Sequence, residues 1–291
     1  MSRGRATLLA TLERLCAETD TATRLAADPV RVPHLYADPA DREVAAVLAA
    51  SLAYGRVAAF RPVLDRLVEL ADAAGGPRAW VDAFEPEVHG PPLRPLYYRW
   101  NRGVDWILLL SALNRLYREA PSLEHHLRGD TLPDALDALI GAIRGAAVAA
   151  APGCGVRAAT FDALPRGFRT LVPRPADGSA TKRWWMFLRW MIRPADGVDL
   201  GLWTRWHPRT LVIPLDTHVL RISRFVGLTR RTDGSLRTAI EVTDALRQLD
   251  PDDPVRFDFA LAHLGISGAC RGHRDPSVCP GCPLDPVCTA G

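Results

Sequence analysis

Lysine is nearly absent from this sequence of 291 residues: lysine and arginine together number 36, and only position 182 is a lysine. Where positive charge alone is needed, the chain uses arginine, which stays protonated and is a poor nucleophile. The net charge is also small, at +3, which by itself is too little to indicate a nucleic-acid partner. The primary amine of Lys182 therefore needs an explanation from the sequence around it.

Two further absences narrow the class of protein. No apolar run approaches the roughly 18 to 20 uncharged residues that span a bilayer. Glu13 and Glu18 stand where a signal peptide would be apolar or small. We therefore expect a cytoplasmic protein without a membrane partner. Strict alternation of apolar and polar residues is scarce as well, so the sequence predicts no β-sheet.

The patterns that are present are typical of helices. Hydrophobic residues make up 48% of the chain, enough for a large buried core, and they recur at helical spacing. We predict an all-α fold. The predicted helices cover residues 5–27, 42–54, 57–73, 104–119, 133–149, 160–170, 180–193, 217–226, 238–248 and 255–265. Prolines and glycines predict loops at 75–77, 85–95, 151–153 and 172–178.

Charge and apolar character are unevenly distributed. Residues 157–237 hold 15 arginine and lysine residues against six aspartates, and either a phosphate backbone or a solvated surface would explain this basic window.

Within this window, residues 184–192 are apolar on nearly every side, which predicts a buried helix. Arg189 and Arg193 share one face of that helix and could contact phosphates or form internal ion pairs.

Four of the six cysteines crowd the last 22 residues, with gaps of eight, two and five residues between them. They are Cys270, Cys279, Cys282 and Cys288. Thiolates this close, without a secretory signal, favour one shared metal centre over disulfides. Soft sulfur ligands select zinc or an iron-sulfur cluster, and the unequal spacing favours a four-iron four-sulfur cluster, with zinc as the alternative. Cys16 and Cys154 are isolated and are interpreted as core or surface residues.

Two segments carry a resemblance to a known family. Asp253 to Gly265, followed by the cysteines, looks like the C-terminus of the endonuclease III branch of the helix-hairpin-helix DNA glycosylase superfamily. The segment Ile213 to Ile222, IPLDTHVLRI, is similar to the segment that holds the catalytic aspartate of that family. The resemblance implies that Asp216 is the catalytic carboxylate. An Asp at the start of a helix is otherwise most often an N-cap. The whole chain looks most like an uncharacterised bacterial family within this superfamily.

A third match explains the lysine. Gly178 and Lys182 in GSATK match the first glycine and the lysine of the hairpin Gly-x-Gly-x-Lys-x-Ala, whose lysine is the nucleophile in lyase-competent members. Ala180 replaces the second glycine, which weakens the inference of a DNA-clamping hairpin. Such a lysine attacks the sugar carbon C1′ to form a Schiff base, and Arg183 could supply a neighbouring cation. A phosphate contact and an incidental surface charge are the alternative roles for Lys182.

The resemblance also indicates DNA contacts. Gly178, Ala180 and Arg183 of the hairpin, together with Arg221, are the candidate contacts near the proposed active site. Base flipping needs a side chain that enters the stack. Tyr54 and Arg56 lie where the family places its intercalating residue, although a helix end capped by a glycine would give the same pattern.

These residues predict an all-α helix-hairpin-helix protein of two lobes. One lobe would combine residues 1–40 and 215–291, and the other would span 41–214, with the hairpin at 173–183 and the active site in the cleft. The expected function is excision of a damaged base from double-stranded DNA, with possible cleavage of the abasic site, by a monomer associated with the nucleoid. A DNA-structure binding protein without catalysis is the alternative, and a zinc-stabilised interaction protein is a further one.

Overall fold

The structure is a computed structural model that describes residues 3–290, and its described part is predominantly helical. The prediction of an all-α protein is confirmed at that level. The α-helices are α1 (Arg3–Glu18), α2 (Thr21–Ala27), α3 (Pro39–Leu52), α4 (Val57–Ala73), α5 (Pro77–Asp82), α6 (Pro86–His89), α7 (Gly103–Glu119), α8 (Leu132–Ala150), α9 (Arg166–Leu171), α10 (Lys182–Ile192), α11 (Thr217–Phe225), α12 (Leu236–Arg247) and α13 (Asp258–Ile266).

Backbone contacts divide the chain into two compact units. Unit 1 comprises Met1–Ala26 and Gly178–Gly291, and unit 2 comprises Ala27–Asp177. The division falls earlier in the chain than the expected boundaries at 40/41 and 214/215. Consequently α10 and the segment that follows it group with the C-terminal helices.

Several details differ from the sequence prediction. The first helix is interrupted at Thr19–Asp20, and the helix expected over 160–170 forms only from Arg166. Helix α5 begins at Pro77, where a proline is tolerated because the first helical N–H needs no partner. The expectation of no sheet is wrong at one place. Strands β1 (Tyr97–Tyr98) and β2 (Asn101–Arg102) form a two-stranded antiparallel hairpin.

Unit 2 is built around α7 and α8, which pack against each other. Helix α7 buries residues on nearly all sides, including Trp106 and Leu113 with no exposed surface. The segment Leu132–Cys154 is long and apolar enough to cross a membrane by length and composition alone. One face of α8 is buried in the unit, including Leu136, Leu139 and Ile140. The core helix of a soluble protein has these same properties, so the structure is compatible with a soluble protein.

Helix α10 of unit 1 is buried along nearly its whole length. Every residue from Trp184 to Ile192 is buried, which confirms the prediction of a core helix. Helix α11 packs against α13. Gly265 permits this close approach, because a Cβ atom built there would lie 2.5 Å from the Cβ of His218. Asp216 lies at the start of α11 and Asp258 at the start of α13, so both aspartates belong to this packed helix pair.

Candidate active site and cysteine loop

The first residue of α10 and the residue preceding α11 form an ion pair. The Nζ atom of Lys182 lies 3.7 Å from Oδ2 of Asp216, and their side chains are 29% and 21% exposed. Both groups are thus shielded from solvent but reachable from it. A positive charge at a helix N-terminus is opposed by the helix dipole, so the Asp216 carboxylate is an important favourable partner for the ammonium group.

Asp216 is also the N-cap of α11. Its Oδ1 accepts hydrogen bonds from the backbone N–H groups of His218 and Val219, each at 2.8 Å. The two carboxylate oxygens therefore have different tasks, since Oδ1 is fixed by the helix and Oδ2 faces Lys182. The N-cap, one of the two roles that the sequence left open for Asp216, is therefore present, and the second carboxylate oxygen faces Lys182.

The turn before Lys182 has an unusual backbone. Thr181 adopts the left-handed conformation, with φ of 45°, which is uncommon for a residue with a branched side chain. Its hydroxyl is buried and has no hydrogen-bond partner among the described residues. Ser179 forms a β-bridge with Ser235, and Gly178 has φ of 74°. The loop is therefore attached to the start of α12 and directs the chain into α10 at the lysine.

A buried carboxylate of α13 interacts with this pair. Asp258 is 3% exposed. Burial raises the pKa of its carboxyl group, the charge of Arg189 opposes that rise, and smaller contributions come from the charges of Asp216 and Lys182. Its Oδ2 accepts a hydrogen bond from Arg189 at 2.7 Å, whereas Oδ1 has no partner among the described residues. Sequence reasoning missed Asp258, although a single carboxylate between Phe257 and Phe259 could have indicated it.

Arg189 neutralises two buried carboxylates. Its guanidinium donates to Oδ2 of Asp199 from Nε and Nη2, each at 3.2 Å, in addition to the bond to Asp258. Burial also raises the pKa of Asp199, against the opposing charges of Arg189 and Arg193. Arg193 also pairs with Asp199, and it pairs with Asp253 at 2.9 Å. Of the two roles that the sequence left open, these arginines have the internal one.

The segment after α10 supports the same network. It supplies Asp199 and also Trp203, whose ring meets that of Phe187 edge-on at a centroid distance of 5.2 Å. The backbone N–H groups of Leu200 and Trp203 donate to carbonyl groups near the end of α10. The long segment between Lys182 and Asp216 thus packs against the C-terminal half of α10 and helps to bury it.

The four C-terminal cysteines line one cavity of about 30 Å³. All four are half-buried free thiols. Burial raises the pKa of the Cys282 thiol, and the charges of the other three cysteines raise it further. The backbone N–H of Asp275 donates to Sγ of Cys279 at 3.3 Å. Across residues 3–290, no group of three or more His, Cys, Asp or Glu side chains is spaced to hold a metal ion.

This donor set fits a soft metal centre in its chemistry. The four cysteines line a single cavity, although their side chains are not spaced to hold a metal ion in this structure, and an N–H···S bond is a feature that tunes cysteine-ligated clusters. The rest of the lining includes the apolar side chains of Ile222, Phe225 and Leu264, which would limit solvent access.

Arg221 connects α11 to the cysteine loop. Its Nη2 donates to the carbonyl oxygen of Cys270 at 3.3 Å, and it also approaches Nδ1 of His218 at 3.5 Å. The Cα of Gly272 lies so close that a Cβ built there would be 3.3 Å from Nη1 of Arg221. Arg221 was expected to contact DNA, and the structure gives its guanidinium these protein contacts.

The remaining predicted DNA contacts have different surroundings. Gly178 is exposed, whereas Ala180 and Arg183 are half-buried. Tyr54 and Arg56 belong to unit 2. Arg56 is exposed and directly precedes α4, and the Tyr54 hydroxyl donates to Oδ1 of Asn101 at 2.6 Å.

Comparison with known proteins identified a family to which the chain is similar. The model of a family described as "Protein of unknown function (DUF2400)" matches residues 28–267. That match includes Lys182, Asp216 and Asp258, and it ends before Cys270. No curated protein and no solved structure matched the chain.

Proposed function

We propose that this chain, which belongs to the DUF2400 family, is a helix-hairpin-helix DNA N-glycosylase with abasic-site lyase activity. The observation that supports the proposal best is the 3.7 Å approach of Lys182 Nζ to Asp216 Oδ2. The only side-chain primary amine of the chain and a fixed carboxylate are thus neighbours in a partly exposed site. The resemblance of their flanking segments to the endonuclease III branch supplies the class of reaction.

Each group has a defined task in the proposed reaction. The amine of Lys182, after losing a proton, attacks C1′ of the damaged nucleoside while the bond from C1′ to the base breaks and the base leaves with the electron pair. Asp216 Oδ2 stabilises the positive charge that develops on the sugar. Ring opening then gives a Schiff base between Lys182 and C1′. Loss of a C2′ proton expels the 3′ phosphate, and water releases the lysine.

The N-cap position of Asp216 supports its proposed role as the carboxylate that stabilises the sugar cation. Its Oδ1 accepts two backbone hydrogen bonds at 2.8 Å, which hold the carboxylate in place without a change during reaction. Electrostatic stabilisation is most effective when the stabilising group is preorganised in this way.

Gly178, Ala180 and Arg183 would contact the DNA backbone beside the amine. The protein would act in the cytoplasm, on the nucleoid.

The four cysteines would hold a four-iron four-sulfur cluster, with zinc as the alternative. Cys270, Cys279, Cys282 and Cys288, which line one cavity, would provide the sulfur ligands, and the cluster would fix the C-terminal loop against α11. Protein isolated without air should be brown, with broad violet and blue absorption, whereas a zinc protein should be colourless. Cys282→Ala should remove the colour. Cys154→Ala is the matched control and should keep it, because Cys154 lies in unit 2 beside Ser111.

Borohydride trapping tests the lyase proposal. The chain has one lysine, so a covalent adduct with abasic or oxidised-base DNA can form only at Lys182 or at the α-amino group. We expect the adduct in the wild type and its loss in Lys182→Ala and Lys182→Arg, with DNA binding retained in Lys182→Arg. An adduct undiminished in Lys182→Ala would refute the proposal, as would no adduct on a panel of lesions. DNA binding that is equal in the wild type and Lys182→Arg, with no adduct from either protein, would instead indicate the non-catalytic DNA-structure binding protein.

A further inference from the structure

Two aromatic side chains of unit 2 are unusually exposed. Tyr97 and Trp100 are 58% and 55% exposed, and they belong to the β1–β2 hairpin of residues 97–102, here called the aromatic hairpin. Exposed large aromatic residues are a feature of binding surfaces more than of solvated ones. Neither residue is part of the proposed active site.

The turn that presents Trp100 has a strained backbone. Tyr98 pairs with Asn101, so Arg99 and Trp100 form a two-residue turn. Arg99 has φ of 51°, a left-handed conformation that hairpin turns usually assign to glycine or asparagine. Such a conformation persists only where its surroundings impose it, and it is found disproportionately at functional sites.

Buried hydrogen bonds hold the base of the hairpin. Asn101 is fully buried; its Nδ2 donates to the Gly167 carbonyl at 2.9 Å, and its Oδ1 accepts from the Tyr54 hydroxyl at 2.6 Å. Asp105 accepts from the backbone N–H groups of Arg102 at 2.7 Å and Phe168 at 2.8 Å. The exposed rings therefore stand on a rigid support, and binding would not have to order them.

Arginines surround the two rings. The Cζ atom of Arg102 lies 3.9 Å from the ring centroid of Tyr97, and that of Arg166 lies 4.3 Å from the ring of Trp100. Residues 94–102 include three arginines and no acidic residue. Arg94, Arg99, Arg102 and Arg166 are all exposed. The patch therefore combines stacking surfaces with concentrated positive charge.

The aromatic hairpin also contacts the segment in which the sequence placed a DNA contact. The Tyr98 hydroxyl donates to the carbonyl oxygen of Tyr54. A Cβ built on Gly55, which has φ of 79°, would lie 2.5 Å from the Tyr98 hydroxyl and 3.0 Å from Nη1 of Arg99. Tyr54 and Gly55, which directly precede the exposed Arg56, thus adjoin the aromatic hairpin.

We propose that the aromatic hairpin is a nucleic-acid contact in which Trp100 and Tyr97 stack on unpaired bases while the neighbouring arginines bind phosphates. Stacking on aromatic side chains and a basic surface are the two components by which proteins bind single-stranded nucleic acid without sequence preference. The class of partner rests on the proposed function, but the hairpin lies in the other unit and has no part in the excision chemistry.

Binding to lesion-free DNA measures this contact separately from catalysis. The full-length protein is titrated by fluorescence anisotropy into a labelled single strand, its duplex, and the duplex with a short central bubble. Trp100→Ala should weaken binding to the single strand and the bubble by about 10-fold and binding to the duplex by less. Trp100→Phe should restore most of the affinity. Arg102→Ala should lower the slope of log K against log salt by about 0.7 for the single strand.

Matched controls come from the same unit. Leu35 is 58% exposed, so Leu35→Ala removes an equally exposed apolar side chain, and Arg115→Ala removes an exposed arginine of α7. Both should bind as the wild type does. Unchanged binding in Trp100→Ala and Tyr97→Ala, an equal loss in Leu35→Ala, or no binding of the wild type to any probe would overturn the proposal.

Vesicles rich in phosphatidylserine provide negative charge without bases. Equal binding to them, with the same dependence on Trp100, would identify a polyanion or membrane surface and would also overturn the proposal. Borohydride trapping reports the proposed function on its own. Loss of binding in Trp100→Ala, together with no adduct on any lesion, would support the proposed role of the hairpin and refute the excision chemistry. Unchanged binding in Trp100→Ala, together with an adduct, would support the excision chemistry and refute the role of the hairpin.

Discussion

Replacement of Arg189 by methionine tests how much the buried ion pairs of this arginine contribute to the stability of unit 1. Arg189 is 3% exposed, as is Asp258, and Asp199 is 1% exposed. Arg189→Met keeps most of the volume of the side chain but leaves both buried carboxylates without their shared cation. Breaking a buried ion pair from one side costs about 3–5 kcal/mol. We therefore expect a loss of about 4 kcal/mol in the free energy of unfolding at pH 7.

The loss should depend on pH in a defined direction. Burial already raises the pKa of Asp199 and Asp258 against the opposing charge of Arg189, and removal of that charge should raise both pKa values further. A carboxyl group whose folded-state pKa lies above its unfolded value of about 3.9 destabilises the fold as pH rises through that interval. The deficit of Arg189→Met should therefore shrink as pH is lowered from 7 towards 5.

Urea unfolding followed by tryptophan fluorescence and circular dichroism measures both effects. Arg66→Met is the control, because Arg66 pairs with Glu69 at 2.8 Å but their side chains are 47% and 63% exposed; exposed pairs of this kind contribute less than about 1 kcal/mol. Addition of Asp258→Asn to Arg189→Met should recover part of the stability at pH 7. The reasoning is refuted if Arg189→Met costs no more than Arg66→Met, or if its deficit grows as pH falls.

Two other substitutions probe packing and acid stability. Gly265→Ala places a Cβ 2.5 Å from that of His218 and should cost about 1–3 kcal/mol by forcing α11 and α13 apart, whereas Gly141→Ala in α8, where a Cβ meets nothing within 4 Å, should be neutral or stabilising in thermal unfolding. In unit 2, the hydrogen bond from Arg174 lowers the pKa of the Asp137 carboxyl group, so its stabilisation is present above about pH 4 and is lost as pH falls through the lower folded value. Asp137→Asn should be less stable near neutral pH and should lose less stability in acid titration; an acid limb identical to that of the wild type would contradict this.

The sequence predicted the bounds of several helices closely. Helix α4 has the predicted bounds of 57–73, and α10 and α11 differ from prediction by two residues or fewer at each end. The β1–β2 hairpin could not be predicted, because two residues per strand are too few to show alternation. Helix α6 spans only four residues in a segment rich in proline, where local breakers outweigh any helical signal.

The candidate site was predictable only in part, for a physical reason. Lys182 was recognisable by its rarity and Asp216 by its flanking residues, since both are properties of the chain itself. Asp258 depends on burial and on charges far away in sequence, because Arg189 lies 69 residues before it. The internal pairing of Arg189 was one of two open alternatives, and the packing of Asp199 and Asp258 against it distinguishes them.

The cap of α11 has a mechanical consequence. Because Oδ1 of Asp216 accepts hydrogen bonds from two backbone amides of the helix, the carboxylate is held at the helix end. A displacement of α11 would therefore move Oδ2 by nearly the same amount relative to Lys182. Arg221, five residues after Asp216 and in the same helix, donates a hydrogen bond to the Cys270 carbonyl. The distance between Lys182 and Asp216 thus depends on the cysteine loop, because little more than one turn of α11 separates Asp216 from the residue that is bonded to that loop.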